Sequence, residues 1–159
     1  MNNNFAGNRL SPDDTALVLI DHQSGLMQMA NDYSPAEFRN NVLALAKIGK
    51  AFGLPTVITS SAEDGTNGPV IPEILAIHPD VKVVRRQGEI SAWDNNDFVA
   101  AIEKTGRKKL VMAGVTMDVC LAFPAIQAVD AGYRVYGVMD ASGAYDLSAH
   151  QLAVQRMLA

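Results

Sequence analysis

Cysteine occurs once, at Cys120, so the chain can close no internal disulfide and holds no CxxC pair for redox exchange. The apolar runs are short, well below the roughly 20 residues that a membrane helix needs. Basic residues gather no further than Arg107-Lys108-Lys109, and the formal net charge is −4. Neither nucleic acid nor an anionic membrane is therefore an expected partner. No GxGxxG follows the first apolar run and no GxxxxGK[ST] occurs, which disfavours dinucleotide and P-loop phosphate sites. His22, His78 and His150 stand outside any Asp-x-His or His-x-x-x-His spacing, so no metal and no cofactor are expected. His78 and His150 read as surface residues. The opening Met-Asn-Asn-Asn lacks a charged-then-apolar leader, and with a lone thiol the expected setting is cytoplasmic.

Hydrophobic residues make up 48% of the chain and charged residues 19%, enough apolar surface for a packed core. At 159 residues the whole chain, 1–159, reads as one domain. Thr15 to Ile20 is a continuous apolar run closed by Asp21, the pattern of a strand buried on both faces. Similar runs recur at 55–60, 81–84, 109–113 and 134–139. Between them lie helical patterns. Ser34-Pro35-Ala36-Glu37 opens one with an N-cap serine, a proline at the first helical position and a glutamate at the third, and Gly53 ends it. Others span 96–104, about 118–131 and 148–159. The alternation predicts an α/β fold, a three-layer α/β/α sandwich on a mostly parallel sheet.

In such a sheet, ligands bind beyond the carboxyl ends of the strands. That edge collects Asp21, Ser60 and Ser61, Arg85 and Arg86, the segment Gly114 to Cys120, and Asp140. A thiol in the first turn of a helix meets unpaired N–H groups, which lower its pKa and can also hold an oxyanion. The competing reading is a small buried residue that only packs. Asp21 is either a desolvated carboxyl fit for acid–base work or a loop cap. His22 points to the opposite face from Asp21, because adjacent strand positions alternate. One of Arg85 and Arg86 should turn inward as a permanent cation. Trp93 is a pocket wall or a packing anchor. His22, Gln23, Ser60, Trp93 and Phe123 form the expected pocket lining, sized for a small, partly apolar molecule.

Several motifs together are similar to one family. Val-Leu-Ile-Asp-His-Gln (18–23), Leu-Pro-Thr-Val-Ile-Thr-Ser (54–60), Asn-Gly-Pro (67–69), Ser-Ala-Trp-Asp-Asn (91–95), Ala-Gly-Val-Thr-Met-Asp-Val-Cys (113–120) and Asp-Ala-Ser-Gly (140–143) carry the likeness. They resemble the isochorismatase-like cysteine hydrolases, and among these the YcaC-like branch. The resemblance implies a triad of Asp21, Arg86 and Cys120, with arginine where much of the family has lysine. It also implies a cis peptide between Val115 and Thr116, and an oxyanion hole from the Thr116 and Cys120 N–H groups. The implied activity is hydrolysis of a small amide-like C–N bond through a thioester. A catalytically silent assembly or binding protein is the alternative. Ring-like homo-oligomers are implied as well. Relatives continue into a sixth strand, so this chain is expected to lack the last strand and to leave 134–139 on a sheet edge.

Overall fold

The computed structural model describes residues 9–159, so the opening Met-Asn-Asn-Asn lies outside the described residues. Five strands form one parallel sheet in the order β3-β2-β1-β4-β5. They are β1 (Thr15–Ile20), β2 (Thr56–Ser61), β3 (Val84–Arg86), β4 (Lys109–Gly114) and β5 (Arg134–Gly137). The helices are α1 (Ser24–Met27), α2 (Pro35–Ala51), α3 (Pro72–Ile77), α4 (Asn96–Lys104), α5 (Ala122–Asp130) and α6 (Leu147–Leu158).

The central strand shows why its run is unbroken. Ala16, Val18 and Ile20 face one core, shared with Phe98 and Ile102 of α4, Ala125 of α5 and Ala153 of α6. Leu17 and Leu19 face the other, with Phe38, Val42 and Ala46 of α2 and Ile74 of α3. Each face of the strand is dry, so no polar residue interrupts it until Asp21. The α2 N-terminus forms as read: the Ser34 hydroxyl accepts the Glu37 N–H at 3.3 Å.

Two elements depart from the sequence reading. The run at 81–84 is not a strand along its length; only Val84–Arg86 pairs, with Thr59, Ser60 and Ser61 of β2. Both arginines therefore sit inside the edge strand rather than after it. The helix expected from about 118 begins instead as a π-helical turn, Met117–Leu121, before α5. Short helices α1 and α3 went unread. His78 is also not a surface residue. It is buried at the end of α3, with Nε2 3.0 Å from the Ala46 carbonyl of α2. His150 is half-buried, its Nδ1 2.9 Å from Asp32 Oδ2. Both imidazoles tie elements together.

The chain order reverses between β1 and β4. From β1 it proceeds outward to β2 and β3, then crosses back to β4 and β5. The carboxyl ends at that switch point are Asp21 and Gly114, which places any ligand crevice there. β5 is the outer strand on its side among the described residues, with Val135 and Tyr136 half-buried.

Candidate active site

Asp21 is fully buried at the end of β1. Its N–H continues the ladder to the Thr59 carbonyl at 3.0 Å, and its own carbonyl accepts the Gln23 N–H at 2.7 Å. The residue adopts φ 58°, a left-handed conformation uncommon away from glycine and one that clusters at functional sites. The turn separates two neighbours. The Asp21 carboxylate faces Arg86 and Cys120, whereas His22 directs Nε2 to the Ala141 carbonyl, 2.9 Å away.

Strand alternation decides between the arginines. The Arg85 side chain is 64% exposed and pairs with Glu63, while that of Arg86 is 1% exposed. Arg86 commits all three of its nitrogens to acceptors, two of them buried. Nη2 donates to Asp21 Oδ2, Nε to the Thr59 hydroxyl at 3.0 Å, and Nη1 to the Glu89 carbonyl at 2.5 Å. Such a fixed guanidinium holds its partner carboxylate in one orientation.

Cys120 reaches the same point from β4. The strand ends at Gly114, where an added Cβ would come 3.0 Å from the Cys120 carbonyl carbon and oxygen. Glycine thus lets the cysteine turn rest on the strand end. The Val115–Thr116 peptide is cis. The Thr116 backbone lies close enough to the Cys120 sulfur to favour its thiolate, and the Thr116 carbonyl accepts the Cys120 N–H at 2.7 Å. This corrects one expectation: the Cys120 N–H is not a second free donor for an oxyanion, because the π-helical turn engages it.

The electrostatics also correct the expectation of a low thiol pKa. Burial pushes the Cys120 thiol well above its ordinary range, and the adjacent Asp21 charge pushes it further; Arg86 and the Thr116 N–H oppose this only in part. Burial likewise raises Asp21, against the pull of the Arg86 charge and hydrogen bond. The turn does not present a bare helix end, because the Cys120 N–H is already bonded to the Thr116 carbonyl. Burial and the neighbouring Asp21 charge thus both favour the protonated thiol. Asp21 Oδ1 is buried without a hydrogen-bond partner.

The expected pocket lining is mostly redirected. His22 is buried, with Nε2 committed to the Ala141 carbonyl. The Gln23 amide is committed to backbone, donating to the Ser61 and Gly68 carbonyls at 3.0 and 2.5 Å and accepting the Ser61 N–H at 2.8 Å. Ser60 shares the strand face of Ile58, on the α2 and α3 side. Trp93 is a packing anchor, edge-on to Phe98 and Tyr133 at centroid distances of 6.0 and 5.6 Å. Phe123, one helical turn past Cys120, is half-buried with the Arg156 guanidinium 4.5 Å from its ring centre. Thr59 was missed, although alternation from Val57 would have placed it on the site face. Among the described residues no three His, Cys, Asp or Glu side chains gather to hold a metal. A groove of about 840 Å³, lined by residues including Thr56, Val84, Arg85, Asp97 and Lys104, includes none of the triad.

Known proteins share this arrangement of chain. Residues 15–159 match the isochorismatase domain. The probable hydrolase YcaC of Escherichia coli K12 is 47% identical over 149 residues, 94% of this chain and 72% of that protein. The structure of YcaC from Pseudomonas aeruginosa with hexane-2,5-diol and covalent acrylamide superposes with a TM-score of 0.93 at 48% identity, covering 95% of this chain and 75% of that one. The E. coli structure, described as an octameric hydrolase of unknown specificity, gives the same TM-score and identity over 95% and 74%. Nicotinamidase PncA from Bacillus subtilis, at 17% identity and a TM-score of 0.70 over 89% and 93%, shares the fold alone. With a domain match from β1 onward and near-half identity to YcaC, the chain belongs to the isochorismatase family of hydrolases.

Proposed function

We propose that this hydrolase cleaves a small amide-like C–N bond through a thioester on Cys120, with Asp21 as the proton carrier. The observation that carries the reading is the position of the Asp21 carboxylate, held by Arg86 on one oxygen and facing the Cys120 thiol. In the acylation step Asp21 takes the thiol proton while the sulfur attacks the carbonyl carbon. The Thr116 N–H receives the developing oxyanion. Collapse of the tetrahedral intermediate breaks the C–N bond, and Asp21 returns the proton to the leaving nitrogen. A water, deprotonated by Asp21, then attacks the thioester; the acid leaves and Asp21 reprotonates the sulfur. Arg86 moves no proton at working pH and acts by charge.

The P. aeruginosa relative carries a covalent acrylamide, an electrophile of the kind that thiolates attack, and this supports the reading of a reactive thiol. The octameric E. coli relative supports a homo-oligomer, which light scattering of the purified chain would check against a monomer mass. The test of the chemistry is a panel of amides and carbamoyl compounds. Wild type should hydrolyse a member of it, and Cys120→Ala should fold normally and lose that turnover. A Cys120→Ala protein with full activity would eliminate the proposal. Folded wild type inert both to the panel and to a thiol reagent would favour the silent binding protein.

A further inference from the structure

The geometry points to Ser142 as the positioning residue that sets the reactivity of Cys120 through the backbone of Gly114 and Thr116; the inference rests on Cys120 being the nucleophile. Ser142 is completely buried. Its hydroxyl accepts the Gly114 N–H at 3.1 Å and donates to the Val138 carbonyl at 2.7 Å. The next residue, Gly143, accepts the Met117 N–H through its carbonyl at 2.9 Å. Residues 142 and 143 thus grip the segment 114–117 at both ends. Between those grips lies Thr116, whose carbonyl holds the Cys120 N–H and whose backbone favours the thiolate.

The brace has no slack. A Cβ on Gly143 would fall 2.4 Å from Ala30 Cβ and 2.8 Å from Phe38 Cζ. The Ala141 carbonyl is held by His22, the Ala144 N–H by Asp32 at 2.9 Å, and the Ala144 carbonyl by the Asn31 N–H at 2.9 Å. The serine hydroxyl is the one side-chain group among these bonds that touches the 114–117 segment. It acts on the thiol only through backbone, so Ser142 positions rather than reacts. The charged groups acting on the thiol itself are Asp21 and Arg86, and neither bonds to Ser142.

Replacing the hydroxyl frees the Gly114 end of the segment and weakens the Thr116 contact that favours the thiolate. The test is the rate of Cys120 carboxamidomethylation by iodoacetamide against pH, read by intact mass. Ser142→Ala should raise the midpoint by about one pH unit and slow labelling near neutrality about tenfold. Its Gly114 and Thr116 amide resonances should move. Ile74→Val, a buried truncation on the other side of the sheet, should lower stability and leave the midpoint in place. A folded Ser142→Ala with the wild-type midpoint overturns the inference, as does an equal shift in Ile74→Val. If Ser142→Ala does not fold, Ser142→Thr carries the test: the wild-type midpoint with Gly114 still protected from exchange supports it, and a shifted midpoint with Gly114 protected overturns it. Failure of the nucleophile reading shows separately, as a Cys120→Ala variant that keeps turnover.

Discussion

Acid should unfold this protein partly through His22, whose imidazole is buried in the second layer behind the site. Nε2 lies 2.9 Å from the Ala141 carbonyl, which can only accept, so the proton resides on Nε2. Nδ1 is buried without a partner. Protonating it would place an unpaired charge in a dry site, and burial accordingly lowers the pKa from 6.5 to about 4, with the Ala141 bond opposing. Between those values the unfolded chain binds a proton here that the folded chain refuses. Stability is therefore greatest above pH 6.5 and falls as the pH drops toward 4. At about 1.4 kcal/mol for each pH unit, the loss is roughly 3 kcal/mol by pH 4. Other groups titrate in this range, including His78, whose pKa burial also lowers. The comparison that isolates His22 is urea unfolding of wild type and His22→Gln at pH 7 and pH 4. The wild type should lose roughly 3 kcal/mol more than the variant over that interval. Equal losses would refute the assignment of a neutral, desolvated imidazole.

Other perturbations act on the triad and its supports. Arg86→Gln leaves the Asp21 carboxylate buried without its cation, which should cost about 3–5 kcal/mol and reduce turnover at least a hundredfold, measured by denaturation and by kcat/KM. Thr59→Val keeps the strand but removes the acceptor of Arg86 Nε; a loss of about 1–3 kcal/mol is expected in the same denaturation assay. Gly114→Ala forces the Cys120 turn off the strand end, and should cost about 1–3 kcal/mol while lowering kcat more than it raises KM.

The parts of the fold legible in the sequence were those with a strong period. β1, β4, α2 and α4 were readable because each buries a continuous run or a regular face between clear stop signals. The strand-end rule put Asp21 and Cys120 on one edge, where the structure brings them together. Arg86 needed only the choice between two neighbours, which alternation makes. What stayed hidden was local hydrogen bonding. His22 and Gln23 looked like pocket residues because they are polar and adjacent to Asp21, yet their polarity is spent on Ala141, Ser61 and Gly68 carbonyls. Thr59 looked like ordinary strand propensity, since a β-branched hydroxyl residue suits a strand whether or not an arginine needs it. The thiol's pKa was misread for a related reason. A helix start normally offers free N–H groups, but the π-helical turn uses that of Cys120, and the effects of burial and Asp21 outweigh what remains.

The coupling between Asp21 and Cys120 is the centre of the account, and Asp21→Asn separates its two consequences. The substitution removes the charge that raises the thiol and leaves Arg86 to stabilise a thiolate, so the pH midpoint of iodoacetamide labelling at Cys120 should fall. The same variant has no group to carry a proton to the leaving nitrogen, so amide turnover should drop by at least a hundredfold. A more reactive sulfur in a slower enzyme is the predicted result. A labelling midpoint that stays put or rises, or turnover that survives the change, would contradict the claim that Asp21 takes its proton from Cys120.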